Sequence, residues 1–185
     1  MSNTGRPLLA TLAVAVFAGC AVPGTAAPDF TLIADSGQPW TLSAQRGRPV
    51  LLTFGFTHCA DTCPATLARL TRLTQSLGTR GSRVEIAMMT VDPHRDTPPV
   101  MHSFVARFGG PIVGLTGTPA HVGTVEDAYH VYAQRIPGKH PRVHDYDVAH
   151  SAVIYAIDSH GNVRAIRNDD DSDATLTGTV RELLQ

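Results

Sequence analysis

The sequence carries almost no net charge: 15 basic residues stand against 16 acidic ones in 185 positions. Without a basic surplus there is no electrostatic reason to expect nucleic acid or an anionic surface as partner. A glycine-rich phosphate loop and a nucleophilic-serine motif are both missing, so neither nucleotide binding nor acyl transfer is signalled. No internal repeat and no domain boundary interrupt Pro28 to Gln185. Cysteine is scarce, three residues in all, which makes their placement informative. What is present is a 43% hydrophobic content, suited to the core of one globular domain. Nine histidines are the unusual count, and they matter where some converge on cysteine.

Cys59 and Cys63, in FGFTHCADTCPATLARL, sit where an apolar run (Pro49 to Phe56) gives way to a helical pattern (Pro64 to Leu77). If that first turn is helical, positions four apart share a face, with β-carbons about 5–6 Å apart. A metal with thiolate bonds of about 2.3 Å bridges that gap. A disulfide wants β-carbons at about 3.8 Å, so the turn would have to tighten or unwind. The spacing favours chelation and leaves reversible oxidation open. Thiolates select soft ions such as Cu(I). As a purely structural disulfide the pair would stabilise little, because so short a loop closes little chain entropy.

Cys20 belongs to another context. Arg6 precedes an apolar stretch, Pro7 to Ala18, that is too short for a comfortable membrane span. The ending Phe17-Ala18-Gly19-Cys20 resembles the lipobox of bacterial lipoproteins, in which the cysteine is lipidated. Cleavage after Thr25-Ala26-Ala27 and retention as an uncleaved anchor are the competing readings. All three place the domain outside the cytoplasm, on the periplasmic side of a bacterial inner membrane or exported. Exported thiols must be kept reduced against an oxidising compartment. The expected organisation is a leader over 1–20, a Pro/Gly/Ala linker over 21–28 and one domain over 29–185.

Within that domain, Phe30 to Ile33 and Trp40 to Leu42 flank a Ser-Gly turn and read as a hairpin. Pro49 to Phe56 and Val84 to Val91 read as strands buried on both faces. Leu67, Leu70, Leu73, Thr74 and Leu77 form a helical stripe closed by Gly78. Thr97 to Phe108 reads as a helix with Pro98 and Pro99 in its first turn. A strand at Ile112 to Leu115 and a helix at Pro119 to Tyr132 follow. Ile136 to Val148 reads as an exposed loop or hairpin, and Ser151 to Ile157 with Asn162 to Ile166 as antiparallel strands. Thr175 to Leu184 is the closing helix. This alternation, with a late hairpin, indicates an α/β fold of thioredoxin type.

Three blocks carry a closer likeness. Phe54 to Pro64, Thr90-Val91-Asp92-Pro93-His94-Arg95-Asp96-Thr97-Pro98 and Asp145-Tyr146-Asp147-Val148-Ala149-His150-Ser151 resemble, in order, the signatures of the SCO/SenC copper-chaperone family. The resemblance implies a thioredoxin-like fold. It also implies one copper ion per chain, as Cu(I) or Cu(II), held by Cys59, Cys63 and His150. Its implied role is assembly of the dinuclear copper centre of cytochrome c oxidase. A copper-accepting oxidase subunit, an upstream copper donor and a thiol reductase are the implied partners, with membrane attachment through the N-terminus; a monomer is the default. Two thiolates and a neutral imidazole suit Cu(I), and the imidazole also suits Cu(II). Both thiols must be deprotonated for binding, and a helix N-terminus near Cys63 would assist. The sequence departs from the family at Ala60, where proline is usual, and at Ala149, where aspartate commonly stands beside the histidine. Asp145 or Asp147 could serve in its place as a partner for the imidazole.

Plainer readings apply to other residues. His58 reads as scaffold, His140 and His144 as solvated, and Met88 and Met89 as core filling. Asp92, Arg95 and Asp96 are expected to cap the following helix and tie down the loop facing the metal. Asp169-Asp170-Asp171-Ser172-Asp173 reads as a solvated turn and helix cap. The alternative function is a thiol–disulfide oxidoreductase that reduces the oxidase's cysteines or serves redox or copper sensing. Against it stand the CxxxC spacing and the absence of proline after Pro141, where thioredoxin-like reductases resemble one another in carrying one. Peroxidase and zinc readings are weaker still.

Overall fold

The computed structural model describes residues 23–137 and 146–185. Cys20, His140, His144 and Asp145 lie outside them, as do the leader and the start of the linker. Nine strands and five α-helices follow one another among the described residues: β1 (Thr31–Ala34), β2 (Pro39–Thr41), β3 (Val50–Gly55), α1 (Thr62–Ser76), α2 (Gly78–Gly81), β4 (Glu85–Thr90), α3 (Pro98–Val105), β5 (Ile112–Thr116), α4 (Pro119–Ala128), β6 (Ala133–Pro137), β7 (Tyr146–His150), β8 (Val153–Ile157), β9 (Val163–Asn168) and α5 (Asp173–Leu183).

The main sheet has the order β2-β1-β5-β4-β3-β8-β9. Strands β3, β4 and β5 run parallel, with Leu52 beside Ala87 and Met88 beside Gly114. Strands β1 and β8 pair antiparallel with β5 and β3. Every residue of β3 and β4 is buried, as expected of central strands covered by crossover helices on both faces. Met88 and Met89 fill that core. This is the thioredoxin-like arrangement, with the early hairpin β1–β2 at one edge and a separate two-stranded sheet, β6–β7, inserted before β8.

Helix α1 buries Cys63, Leu67, Leu70, Thr71, Leu73 and Thr74 on one face, so the metal-candidate thiol continues the apolar stripe. The helix begins at Thr62, ahead of Pro64. Gly78, in the left-handed region at φ 60°, ends it and opens the single turn α2. Helix α4 ends at Ala128 rather than Tyr132. Tyr129 is fully buried, its hydroxyl donates to the Pro28 carbonyl (2.9 Å), and His130 turns the chain at φ 52°. The chain then forms β6, whose exposed residues pair with β7 from Ala133–His150 to Pro137–Tyr146.

In open α/β sheets, ligands gather beyond the carboxyl ends of the strands. Here the Cys59 loop follows β3, the Asp92–Asp96 loop follows β4, and His150 closes β7 just before β8. No helix among the described residues is long and apolar enough to cross a membrane.

Candidate metal centre

Cys59 lies in the turn between β3 and α1, not in the helix, so the pair does not share a helical face. Its amide donates to the Phe56 carbonyl (3.2 Å), and its sulfur accepts from the Cys63 amide (3.3 Å), one of the free donors of the first helical turn. Both thiols are free. Cys63 is buried (6% exposed) and Cys59 half-buried. From 87 residues further along, His150 brings its Nε2 to 3.7 Å from Cys63 Sγ.

That separation suits a shared ion. A trigonal metal with bonds of about 2.3 Å to sulfur and about 2.0 Å to nitrogen places those atoms about 3.7 Å apart. His150 Nδ1 lies 3.0 Å from the Ser151 carbonyl, to which only an N–H can donate; this leaves the Nε2 lone pair free on the side that faces Cys63. A backbone carbonyl thus orients the ring, and the missing carboxylate at Ala149 is not needed for that. Asp147 instead accepts from the Val148 amide (2.9 Å). The Phe56 ring and the imidazole pack in a T-shaped pair, their centroids 5.7 Å apart. Among the described residues no set of three His, Cys, Asp or Glu side chains stands in ready-made metal geometry. The three groups nonetheless converge: Cys59 Sγ accepts from the Cys63 amide, and Cys63 Sγ faces His150 Nε2.

The thiols are electrostatically unequal. A hydrogen bond from the Cys63 thiol draws the Cys59 pKa down to about 4; burial opposes this, and His150 and the Cys63 amide add to it. The hydrogen bond to Cys59 and then burial push Cys63 far up. The helix N-terminus therefore serves Cys59, not Cys63, because the Cys63 amide points at its neighbour's sulfur. For His150, burial pulls the pKa down, but hydrogen bonds to Cys59 and the Ser151 carbonyl raise it overall. The hydrogen bonding therefore favours the negative charge on Cys59 and the proton on Cys63.

Two buttresses hold the loops. Asp96, fully buried, accepts from the Thr57 amide (3.0 Å), the Thr57 hydroxyl (2.6 Å) and the Thr90 hydroxyl (2.6 Å). It does not cap α3: Thr97 is the N-cap and makes no side-chain cap bond. Asp92 accepts from Arg95 and from the Tyr146 hydroxyl (2.6 Å). Arg95 also donates to the Tyr146 carbonyl (3.0 Å) and lies 3.7 Å over that ring. The Thr57 buttress fixes the cysteine loop, and the Tyr146 buttress fixes the strand bearing His150. Sequence reasoning assigned these side chains a tethering role without their partners; Phe56 and Ser151 lie inside the first and third motifs, but their contacts with the imidazole were not read from them.

His58 is exposed, with Nδ1 3.2 Å from Thr57 Oγ1 and 4.0 Å from Asp96. In the acidic run, Ser172 caps α5 by accepting from the Thr175 amide (3.1 Å), while Arg69 from α1 bonds Asp173 and the carbonyls of Asp169 and Asp171. Beside Cys59 opens a cleft of about 370 Å³, walled by Phe56, Ala60, Asp61, Asp147, Ala149 and His150.

The SCO1/SenC family model matches residues 21–185. The chain belongs to the SCO1/SenC family. Protein SCO1 homolog 1, mitochondrial, of Arabidopsis thaliana is 34% identical over 158 residues, 84% of this chain and 46% of that protein. The chain spans about half the length of several curated SCO relatives it matches. The structure of Bradyrhizobium japonicum ScoI with copper bound superposes with a TM-score of 0.76 at 30% identity, covering 86% of this chain and 99% of that one. BsSco, a member of the Sco family of cytochrome c oxidase assembly proteins, shares the fold (TM-score 0.69, 20% identity, 90% and 98% covered). The SCO1/SenC assignment accounts for all three sequence blocks that converge here.

Proposed function

We propose that this protein is a copper metallochaperone that delivers copper to, or matures, the dinuclear copper site of cytochrome c oxidase. The observation that carries the reading is the convergence of Cys59, Cys63 and His150, with Cys59 and His150 lining one cleft and Cys63 buried behind them, 3.7 Å from the imidazole. A soft ion entering it meets Cys59 already ionised and displaces one proton, from Cys63. His150 adds its Nε2 from the strand side of the cleft. Three protein ligands leave a coordination position toward the cleft, so an acceptor's ligands can enter before these leave. An upstream copper donor would use the same opening, and a thiol reductase would keep the pair available for metal. An N-terminal tether, through Cys20 as a lipidated residue, would hold the domain at the periplasmic face of the membrane; the Phe17-Ala18-Gly19-Cys20 sequence supports it. Titrating the reduced protein with copper, with and without His150, tests the reading.

One observation favours a second activity of the same pair. A half-buried thiolate beside a proton-holding thiol is the asymmetry that thiol–disulfide exchange uses. Reduction of an acceptor's disulfide would leave Cys59 and Cys63 oxidised. That activity survives His150→Ala, whereas copper delivery does not.

A further inference from the structure

We propose that Gly55 is a positioning residue of the metal centre: the space left by its missing side chain seats the Cys63 sulfur. Gly55 is the last residue of β3, opposite Thr90, and its backbone is not in the left-handed region. Conformation therefore does not demand glycine at this position, but space does. A β-carbon at Gly55 would stand 2.9 Å from Cys63 Sγ, 3.3 Å from Cys63 Cβ and 3.1 Å from Met88 Cε.

Non-bonded carbon atoms settle at about 3.5–4.0 Å, so an alanine at 55 requires a displacement of roughly 0.6 Å or more. The Met88 methyl ends a flexible chain and can swing aside. Cys63 has a single side-chain torsion, and its backbone is held in α1 by the buried Leu67 and Leu70. The sulfur is what moves. Metal–ligand distances tolerate about 0.2 Å, so the displacement exceeds what the site absorbs. Glycine at this strand end lets the first turn of α1 lie against β3 and keeps the sulfur within reach of His150. The functional part of the inference rests on the copper reading above; the steric part stands without it.

The test compares Gly55→Ala with Gly123→Ala, a control in α4 whose added carbon meets nothing within 4 Å. Each is made in the wild-type and Cys63→Ala backgrounds as metal-free, reduced protein. Gly55→Ala is expected to lower the melting temperature in the wild type and much less beside Cys63→Ala. It should also speed alkylation of Cys63, alter the thiolate-to-Cu(II) absorption band and weaken Cu(I) binding by about 10–100-fold. Gly123→Ala should do none of these. An equal stability loss in both backgrounds, or unchanged Cys63 alkylation, overturns the assignment. If Gly55→Ala alone does not fold, Gly55→Ala with Cys63→Ala decides: it folds if the sulfur is the clash, and its failure to fold refutes the idea. A wild-type protein that binds no copper removes the copper reading but leaves the stability and alkylation comparisons to decide Gly55.

Discussion

Removing the Asp96 carboxylate should loosen the cysteine loop without touching a metal ligand. Its side chain takes three hydrogen bonds in a fully buried site: the Thr57 amide at 3.0 Å and the Thr57 and Thr90 hydroxyls at 2.6 Å each. Alanine leaves the amide without an acceptor, which costs about 1–3 kcal/mol, and forfeits two charge-assisted bonds worth roughly 1.5–3 kcal/mol each. Rotation of the hydroxyls to other acceptors recovers part of that, so the net loss is about 3–5 kcal/mol. For a chain of this size the melting temperature falls by roughly 10 °C. Asparagine keeps one oxygen and turns an NH₂ toward a hydroxyl that can accept, so it loses about half as much. Thermal unfolding of the reduced, metal-free variants measures the stability, and Cu(I) competition shows whether the loop still presents Cys59. If both variants melt within about 2 °C of wild type, Asp96 does not anchor the loop.

The Cys59 pKa of about 4, below the ordinary thiol value, sets a pH signature. A depressed pKa contributes stability that is complete above the ordinary value of 9.0 and is lost as pH falls through about 4. Peptide-mapped alkylation of Cys59 should stay fast down to that range; a rate declining from about pH 8, like an ordinary thiol, contradicts it. Of the two thiols only Cys63 should release a proton to Cu(I), and the affinity should fall about tenfold for each unit by which the pH is lowered; release of a proton by both thiols refutes the asymmetry. Arg95→Lys cannot span the Tyr146 carbonyl, the Tyr146 ring and Asp92 together. It should cost about 1–3 kcal/mol and quicken hydrogen exchange across Tyr146–His150, and unchanged exchange would show that Arg95 does not hold that strand.

Much of the framework was legible because local pattern and tertiary demand agree. β3 and β4 are continuous apolar runs, and the stripe Leu67, Leu70, Leu73, Thr74 has helical spacing. Where they part, the reading slipped. The loop or hairpin read over Ile136 to Val148 meets the antiparallel pair β6–β7, but β6 begins earlier, at Ala133; it is mostly exposed and shows no alternation, so nothing local marks its start. Tyr129 and Tyr132 prolong an apparent helix, but the bond from Tyr129 to Pro28 and the turn at His130 end α4 early. Proline is common at the first helical position, which made Pro64 look like the start of α1; the helix begins at Thr62 and places Cys63 in the first turn.

In the site, spacing pointed to Cys59 and Cys63, whereas His150 has no local mark and emerged only through the family likeness. Which thiol carries the charge depends on one amide's direction and on burial, and neither is written in a CxxxC motif. The acidic side chains after β4 looked like helix caps because they precede α3. Folding instead turns Asp96 toward Thr57 and Asp92 toward Tyr146.

The most direct test is a copper titration of the reduced protein, first with Cu(I) and then with Cu(II), beside His150→Ala. The account predicts one ion per chain and a thiolate-to-Cu(II) band that the variant alters, with weaker binding. Sub-stoichiometric binding, or a variant with unchanged affinity and spectrum, would contradict a centre built from Cys59, Cys63 and His150.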